Sequence, residues 1–500
     1  MLTPQQPGRD IRTNTEAGRT LRAAKLSVAY FCALLFTHCQ SWGKFWEVDD
    51  VPTNQGIFAW GRSPSTAPNA SVFVSVAADS AGSAYAVGTM SGTLPYVFGG
   101  QSVTGNSNGF YNVIVKYDTN GNAVWAQSAT GPNTNLSFRG VSVDSSDNIY
   151  ASGDNSSAAA FTFSTLNFTV NGPLLLKYNR AGVAEWGATS AAACTSRFIH
   201  VANAGNFIYA AGDQDTASCT YGSQTVTPGY AGNNVLLLKY DSAGVAQWGT
   251  TTSTSTCISS FRAVATDSFG DVYAVGFQDT CAVTYPGGAA IAANTSLRAI
   301  VIKYSSSGAV QWVFSAGNPG GGTSCQFNDI AIDKNNNIYA VGSQTGPASY
   351  GGFTLTPANG TVKGLLVRFD TTGTVLAAQL GDVAQIGFTG VATDGRGKVY
   401  VSGQQSGNLT ANYGGLSVPK SATEQQGIVL KYDPSGPGEW ARLPTSTPAG
   451  STHSYSGLAL SKDARLFAVG VANGAGNYVF DGQAVTAVYS AANAQIVQYR

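Results

Sequence analysis

Apolar and polar residues alternate through most of this chain in short runs, and Gly, Asn, Asp or Ser closes each run. A period of two over short runs reads as half-buried β-strand rather than helix. The runs also repeat. Residues 174–187 read LLLKYNRAGVAEWG and residues 236–249 read LLLKYDSAGVAQWG, identical at eleven of fourteen positions. The same strand, turn and second strand recur around Gly121 and Trp125, Gly308 and Trp312, and Gly436 and Trp440, while Gly373 is followed by Ala377 in place of Trp. Composition and spacing make each a β-hairpin.

A second hairpin precedes each of these, most clearly DSFGDVYAVG at 267–276. Its aromatic recurs as Tyr85, Tyr150, Tyr209, Tyr273, Tyr339, Tyr400 and Phe467, spaced by 59 to 67 residues. Six positions earlier stand Asp79, Asp144, Asn203, Asp267, Asp333, Asp394 and Ser461, whose side chains can bond their own backbone and start a turn. Three positions after those come Gly82, Asp147, Asn206, Gly270, Asn336, Gly397 and Ala464, all but the last tolerant of a left-handed backbone. Residues 333–337, DKNNN, also match the opening of a calcium loop. Ile338 and Gln344 replace that loop's Gly and Glu, and the equivalent slot is a turn in every other unit, so the turn reading prevails.

Seven copies of four strands predict an all-β fold, a seven-bladed β-propeller with four antiparallel strands per blade. The seventh copy stops at the strand 496–500. Residues 53–60, TNQGIFAW, carry the missing Gly56-to-Trp60 spacing. The N-terminal strand is therefore expected to complete the last blade, hiding two edges that an open solenoid would expose. The strings DSFGDVYAVG, IVIKY (300–304) and GAVQW (308–312) resemble the SBBP ("seven-bladed beta-propeller") repeats of bacterial exported proteins, over roughly residues 56–500. The resemblance implies architecture and export. It implies no activity, because that family is not tied to one reaction.

Composition narrows the function classes. Charged residues are 11% of the chain, under half of the usual share of about 25%. Lys plus Arg equals Asp plus Glu at 27 each, so there is no basic field for nucleic acid. Near the N-terminus five basic residues precede the apolar run LSVAYFCALLFTH (26–38), which is too short for a stable span and reads as a signal peptide. The sequence before Cys39 resembles a relaxed lipobox, although His38 departs from the small residue usual there. The expected organisation is a lipoprotein-type signal peptide at 1–38, a linker at 39–52 and the propeller at 53–500. Lipidation at Cys39 would anchor the protein to the cell envelope; an ordinary signal peptide and an uncleaved anchor are the alternatives.

Candidate chemistry is sparse. Cys194 with Cys219, and Cys257 with Cys281, flank the first hairpins of the third and fourth units and are expected as disulfides, which fits an oxidising compartment. Cys325 occupies what looks like the matching place in the fifth unit and lacks a partner. No spacing suits a metal site, and no cofactor is expected. Lys116, Lys177, Lys239, Lys303 and Lys431, with Arg368, recur once per unit and are expected to lie over the adjacent Trp. His200 stands on a presumed inner strand and His453 just before another. With Arg139, Arg197, Arg262 and Gln326 they are expected around one mouth of the channel. The function expected is a non-catalytic, monomeric envelope protein that presents this surface to a protein or glycan partner. A carbohydrate lyase or hydrolase using His200 or His453 is the alternative, and a structural surface component a third.

Overall fold

The computed structural model describes residues 54–500 apart from 106–108, 132–134, 216–217, 318–322, 358–360, 382–384, 407–409 and 420–423. Residues 1–53, which include Cys39 and the stretches expected as signal peptide and linker, lie outside the described residues. Each sequence repeat is a blade, and the long strands form seven four-stranded antiparallel sheets. In the first, Ser71–Ala78, Ala84–Ser91, Phe110–Tyr117 and Ala123–Gln127 run in that order from inside to outside. The innermost strands Ser71–Ala78, Leu136–Val143, Ser196–Ala204, Ser259–Thr266, Ser324–Ile332, Gln385–Thr393 and Thr452–Leu460 touch in that order, and the last touches the first. The ring is closed around a channel. Between the second and third strands of each blade sits a short two-stranded hairpin, such as Pro95–Phe98 with Gln101–Thr104.

The first turn of a blade is built on one carboxylate. Asp79 Oδ1 accepts the amides of Ala81 and Ser83, and its Oδ2 accepts the Tyr85 hydroxyl at 3.0 Å. The same Asp–Tyr pair recurs at Asp144 with Tyr150, Asp267 with Tyr273, Asp333 with Tyr339 and Asp394 with Tyr400. The carboxylate of Asp333 is thus committed to a turn. In the seventh blade both members change together: Ser461 accepts the Arg465 amide at 2.9 Å, and Phe467 has no hydroxyl to place. The third blade departs from the pattern. Its strand runs through Asn203 to Ala204 and the next begins at Phe207, so the tight turn puts positive φ on Gly205 instead of Asn206. Ala464 is left-handed despite its side chain, with φ of 61°.

The register aligns one row of side chains across every blade. Tyr85 opposes Lys116, which opposes Trp125, and the row repeats as Tyr150–Lys177–Trp186, Tyr209–Lys239–Trp248, Tyr273–Lys303–Trp312 and Tyr400–Lys431–Trp440. The cation lies over the tyrosine and not over the tryptophan as expected: Lys116, Lys303 and Lys431 sit 5.0, 5.1 and 5.6 Å from the rings of Tyr85, Tyr273 and Tyr400. The ammonium then reaches the next blade, with Lys239 donating to Ser306 O at 2.8 Å and Lys431 to Asn54 O at 3.2 Å.

The tryptophan also belongs to two blades. Trp125 donates Nε1–H to Arg180 O, Trp186 to Ser242 O, Trp248 to Ser306 O and Trp312 to Thr371 O, at 3.0–3.2 Å. Each acceptor lies two residues before the turn glycine of the following blade, and the indole lies on that glycine. A Cβ at Gly182 would stand 2.8 Å from Trp125 Cδ2, and one at Gly244 the same distance from Trp186 Cδ2. The Gly and Trp of one hairpin thus face opposite neighbours.

The N-terminal strand completes the last blade. Phe58–Arg62 pairs antiparallel with Ala492–Tyr499, with Trp60 opposite Gln498. Ile57 and Arg500 exchange backbone hydrogen bonds at 2.9 and 2.8 Å. Buried Asn54 donates to Ala464 O and Tyr499 O at 2.9 and 2.7 Å. Trp60 donates to Thr119 O and covers Gly121, while Gly56 lies under Trp440. The junction departs from the other seats in one respect: the buried Trp440 Nε1 finds no acceptor.

Both expected disulfides form, with Cα–Cα distances of 5.9 Å for Cys194–Cys219 and 5.6 Å for Cys257–Cys281. Cys325 is free and buried. It does not occupy the place equivalent to Cys257. Cys325 lies two residues before Phe327 on the inner strand, as Ser259 does before Phe261, whereas Cys257 lies four before it. The residue opposite it across the ladder is Gln344.

Two stability outcomes follow. Gly182 and Gly270 share a φ of 83°, but only Gly182 carries an indole, and a Cβ at Gly270 meets nothing within 4 Å. Gly270→Ala is expected to cost about 1–2 kcal/mol for the left-handed backbone alone, and Gly182→Ala clearly more; equal midpoints in urea unfolding would refute the seat. Trp60→Ala is expected to cost about 3–5 kcal/mol, as for burying then truncating a large aromatic, measured the same way. A change within error of zero would show that the seam does not hold the ring.

The channel mouth as candidate functional site

Every inner strand carries one bulge, and the bulge decides which side chains reach the channel. It falls between Phe73 and Ser75, Phe138 and Gly140, Phe198 and His200, Phe261 and Ala263, Phe327 and Asp329, Phe388 and Gly390, and Tyr455 and Gly457. An extra residue re-aims its own side chain and bends the strand. The Gly that ends each YAVG-type string makes room for it: a Cβ at Gly153 would stand 1.9 Å from Ser137 O. The aromatic before the bulge points into the blade core. Val74, Arg139, Ile199, Arg262, Asn328, Thr389 and Ser456 are the bulged residues, all partly exposed. Farther along the same strands, Ala77, Ser142, Ala202, Ala265, Ala331, Ala392 and Ala459 are small and partly exposed.

Three of the expected residues come together on neighbouring blades. Arg139 is ion-paired with Asp154 on the second strand of its own blade. Arg197 holds Asp213 through two hydrogen bonds, at 2.8 and 3.2 Å, and the bond to Asp213 raises the pKa of its guanidinium. Ser260 of the next blade donates to the same Asp213 at 2.8 Å. Arg262 lies over the Phe277 ring at 5.1 Å, within electrostatic reach of Asp213, Arg197 and Arg139. Among the described residues it has no ion pair, and burial lowers its pKa. A cavity of about 500 Å³ beside Arg139 is lined by Val74, Phe110, Asp154, Ser156 and Ile199, among others. A second, of about 290 Å³, shares Asp154 and Ser156 and continues to Arg197, Asp213 and Asn233. Both lie near the range of about 300–1,000 Å³ common for small-ligand sites.

His200 lies deeper, one residue beyond the bulge. Its Nδ1 accepts the Val264 amide at 3.3 Å, which places the neutral ring's proton on Nε2. That nitrogen faces Asp329 Oδ1 at 3.9 Å, too far for a direct hydrogen bond. Ala263, on the blade between them, is small enough to let the two approach. Burial lowers the His200 pKa to about 4 and raises that of Asp329 to about 7, although the carboxylate accepts the amides of Ile330 and Val391, both at 2.8 Å. Gln326 stands at the rim and donates to Asn328 Oδ1 at 2.9 Å.

His453 does not border the mouth. The inner strand begins at Thr452, so His453 takes the inward-facing place of Ser71 or Ser259. It is fully buried among Tyr455, Tyr478 and Phe480, and its Nδ1 accepts the Gly427 amide at 3.2 Å. Burial lowers its pKa to about 4. Asp154, Asp213, Asp329 and Phe110 complete the site and were not singled out from sequence. The signal for two of them was there: Asp154 and Asp213 each follow the repeat glycine of a second strand, where other blades carry Thr89, Phe277 or Ser343.

No family profile and no curated protein matches the chain. Solved structures are similar at low identity. A chain of a mitotic checkpoint complex is 9% identical with a TM-score of 0.45, covering 91% of this chain and 94% of that one. A protein of unknown function from Dyadobacter fermentans is 9% identical with a TM-score of 0.38, covering 89% and 99%. A polysaccharide lyase described as an ulvan lyase is 10% identical with a TM-score of 0.37, covering 69% and 81%. Distant neighbours thus include an enzyme and a protein of unknown function, and likeness at this level carries no functional argument. The propeller stands on the strand order itself.

The buried titratable groups predict opposing pH effects. His453, held near pKa 4 against an ordinary 6.5, contributes stability that is present above pH 6.5 and lost as pH falls towards 4. Asp329, raised from 3.8 to about 7, contributes stability that is present below pH 3.8 and lost as pH rises through 7. His453→Phe should therefore flatten the loss of stability between pH 6.5 and 4, and Asp329→Asn should steepen it. Urea midpoints that track the parent at every pH in both variants would contradict this assignment.

Proposed function

We propose that the protein is an exported binding protein of the cell envelope, of the SBBP repeat type, which presents its channel mouth to a partner without catalysing a reaction. The observation that carries this reading is the furrow over the first three blades, where Arg139–Asp154 and Arg197–Asp213 set donors and acceptors side by side. The two disulfides support an oxidising compartment. The basic n-region, the apolar run and Cys39 support a lipid anchor. The low charge and even balance argue against nucleic acid as partner.

One observation favours an enzyme as second reading: His200 and Asp329 face each other in the channel below the furrow. The imidazole there presents its Nε2–H and could donate a hydrogen bond to a bound ligand, beside a carboxyl group that could exchange its proton. Without His453, that reading rests on His200 alone.

A two-part measurement separates the readings. Arg139→Ala with Arg197→Ala should abolish saturable binding of the native partner to the full-length protein while circular dichroism still shows a folded all-β chain, its melting temperature lowered because Asp213 is left buried without its cation. Turnover of a carbohydrate substrate that is lost in a folded His200→Ala variant would overturn the non-catalytic reading. Mass spectrometry of the protein from its host should find diacyl or triacyl modification on Cys39; a mature N-terminus elsewhere refutes the anchor.

A further inference from the structure

The chemistry of the furrow is specific enough to name a ligand class. We propose that it binds an acidic oligosaccharide, a glycan chain bearing uronic-acid carboxylates; this rests on the reading of the mouth as a binding site.

Three features converge. The first is an aromatic platform. Phe110 is 54% exposed and lines the larger cavity. A large apolar side chain kept exposed at the wall of a polar cavity suits the weakly polar face of a sugar ring. The second is the pairing of charges. In Arg139–Asp154 and Arg197–Asp213, N–H donors and carboxylate acceptors lie next to one another. A hydroxyl is both donor and acceptor, so vicinal hydroxyls of a sugar match such pairs, whereas an apolar ligand would leave them unsolvated. Asp154 and Ser156 border both cavities, so the furrow is continuous and suits a chain rather than one ring.

The third feature supplies the charge. The mouth over blades two to four holds Arg139, Arg197 and Arg262 against Asp154 and Asp213. Two carboxylates neutralise two guanidiniums, and Arg262 keeps its charge. It has no ion pair among the described residues, and its Nε is buried without a hydrogen-bond partner. A guanidinium held this way, with its flat face on Phe277, is prepared for a carboxylate from outside the protein. Ser260, two residues before Arg262, already donates to Asp213, and Asn328, at the equivalent place on the next blade, to Phe388 O.

The test uses the full chain and calorimetric titration with a panel of uronate tetrasaccharides of different linkage, each beside its carboxyl-reduced counterpart. Reduction removes the charge and keeps the ring and linkage. At least one uronate should bind about tenfold more tightly than its reduced form at low salt, with the gap closing as salt rises. Arg262→Gln should remove the gap and leave the affinity for the reduced sugar unchanged. Phe110→Ala, at an exposed site that folding does not need, should weaken both by about tenfold. Equal affinity for charged and reduced sugars would overturn the acidic class while sparing the mouth as a glycan site. So would a folded Arg262→Gln that keeps the preference. Saturable binding of a protein partner with no sugar of either kind bound would overturn the glycan assignment and leave the mouth-binding reading standing. No saturable ligand of any class lost on Arg139→Ala with Arg197→Ala would overturn both.

Discussion

An indole laid on a glycine of the neighbouring blade is the contact on which this ring depends. A four-stranded blade has two apolar faces and cannot bury either alone. The repeat answers this with a side chain that belongs to two blades at once. Trp125, Trp186, Trp248 and Trp312 pack on a tyrosine of their own blade and on the turn glycine of the next, and each gives its N–H to that turn. The lysine beside each indole reinforces the same junction in several blades. The glycine is required twice over, for its left-handed φ and for the space its missing Cβ leaves. A chain with 11% charged residues has few ion pairs to spend between blades, and aromatic packing takes their place. Where the tryptophan is Ala377, the turn glycine ahead, Gly436, meets only the Gln379 amide.

That division of labour frees the inner strands. Since the outer rows hold the blades together, residues at the channel are constrained mainly by size. Four residues beyond the aromatic of each inner strand they are almost all alanine. At the bulge they vary from Val74 to Arg139 to Ser456, and this variation is what gives one side of the mouth a different chemistry from the other. Blades two to four hold the arginines and their carboxylates, while the sixth and seventh present Thr389 and Ser456. An asymmetric mouth on a near-symmetric ring offers one chemically distinct surface instead of seven equivalent ones.

The architecture was legible because each of its parts has a local signature. Asp or Asn six residues before Tyr marks the first turn, and Gly four before Trp marks the second. The closing strand could be read because residues 53–60 carry that second signature, Gly56 four before Trp60, at the opposite end of the chain from the strand it completes. What could not be read was contact between blades. The Gly and Trp of one hairpin look like partners, yet each faces another blade, and nothing in the spacing reveals it. The arginines were legible as rare charges at or near the start of inner strands. Their carboxylates escaped because Asp154 and Asp213 lie on the second strand, away from those positions. His453 was misplaced for a different reason: one residue of strand register turns a side chain from the channel to the core.

The N-terminal strand is a full member of the last blade, held by the same indole-on-glycine seat as the other tryptophan-bearing outer strands. Native-state hydrogen exchange tests this most directly. The amides of Ile57 and Arg500, which bond across the junction, should exchange only through global unfolding, with the same opening free energy as core amides of the third strands such as Leu176 and Ile302. Exchange of Ile57 and Arg500 through a low-energy local opening, with the third strands still protected, would contradict it: the strand would then be an accessory to the ring and not the piece that closes it.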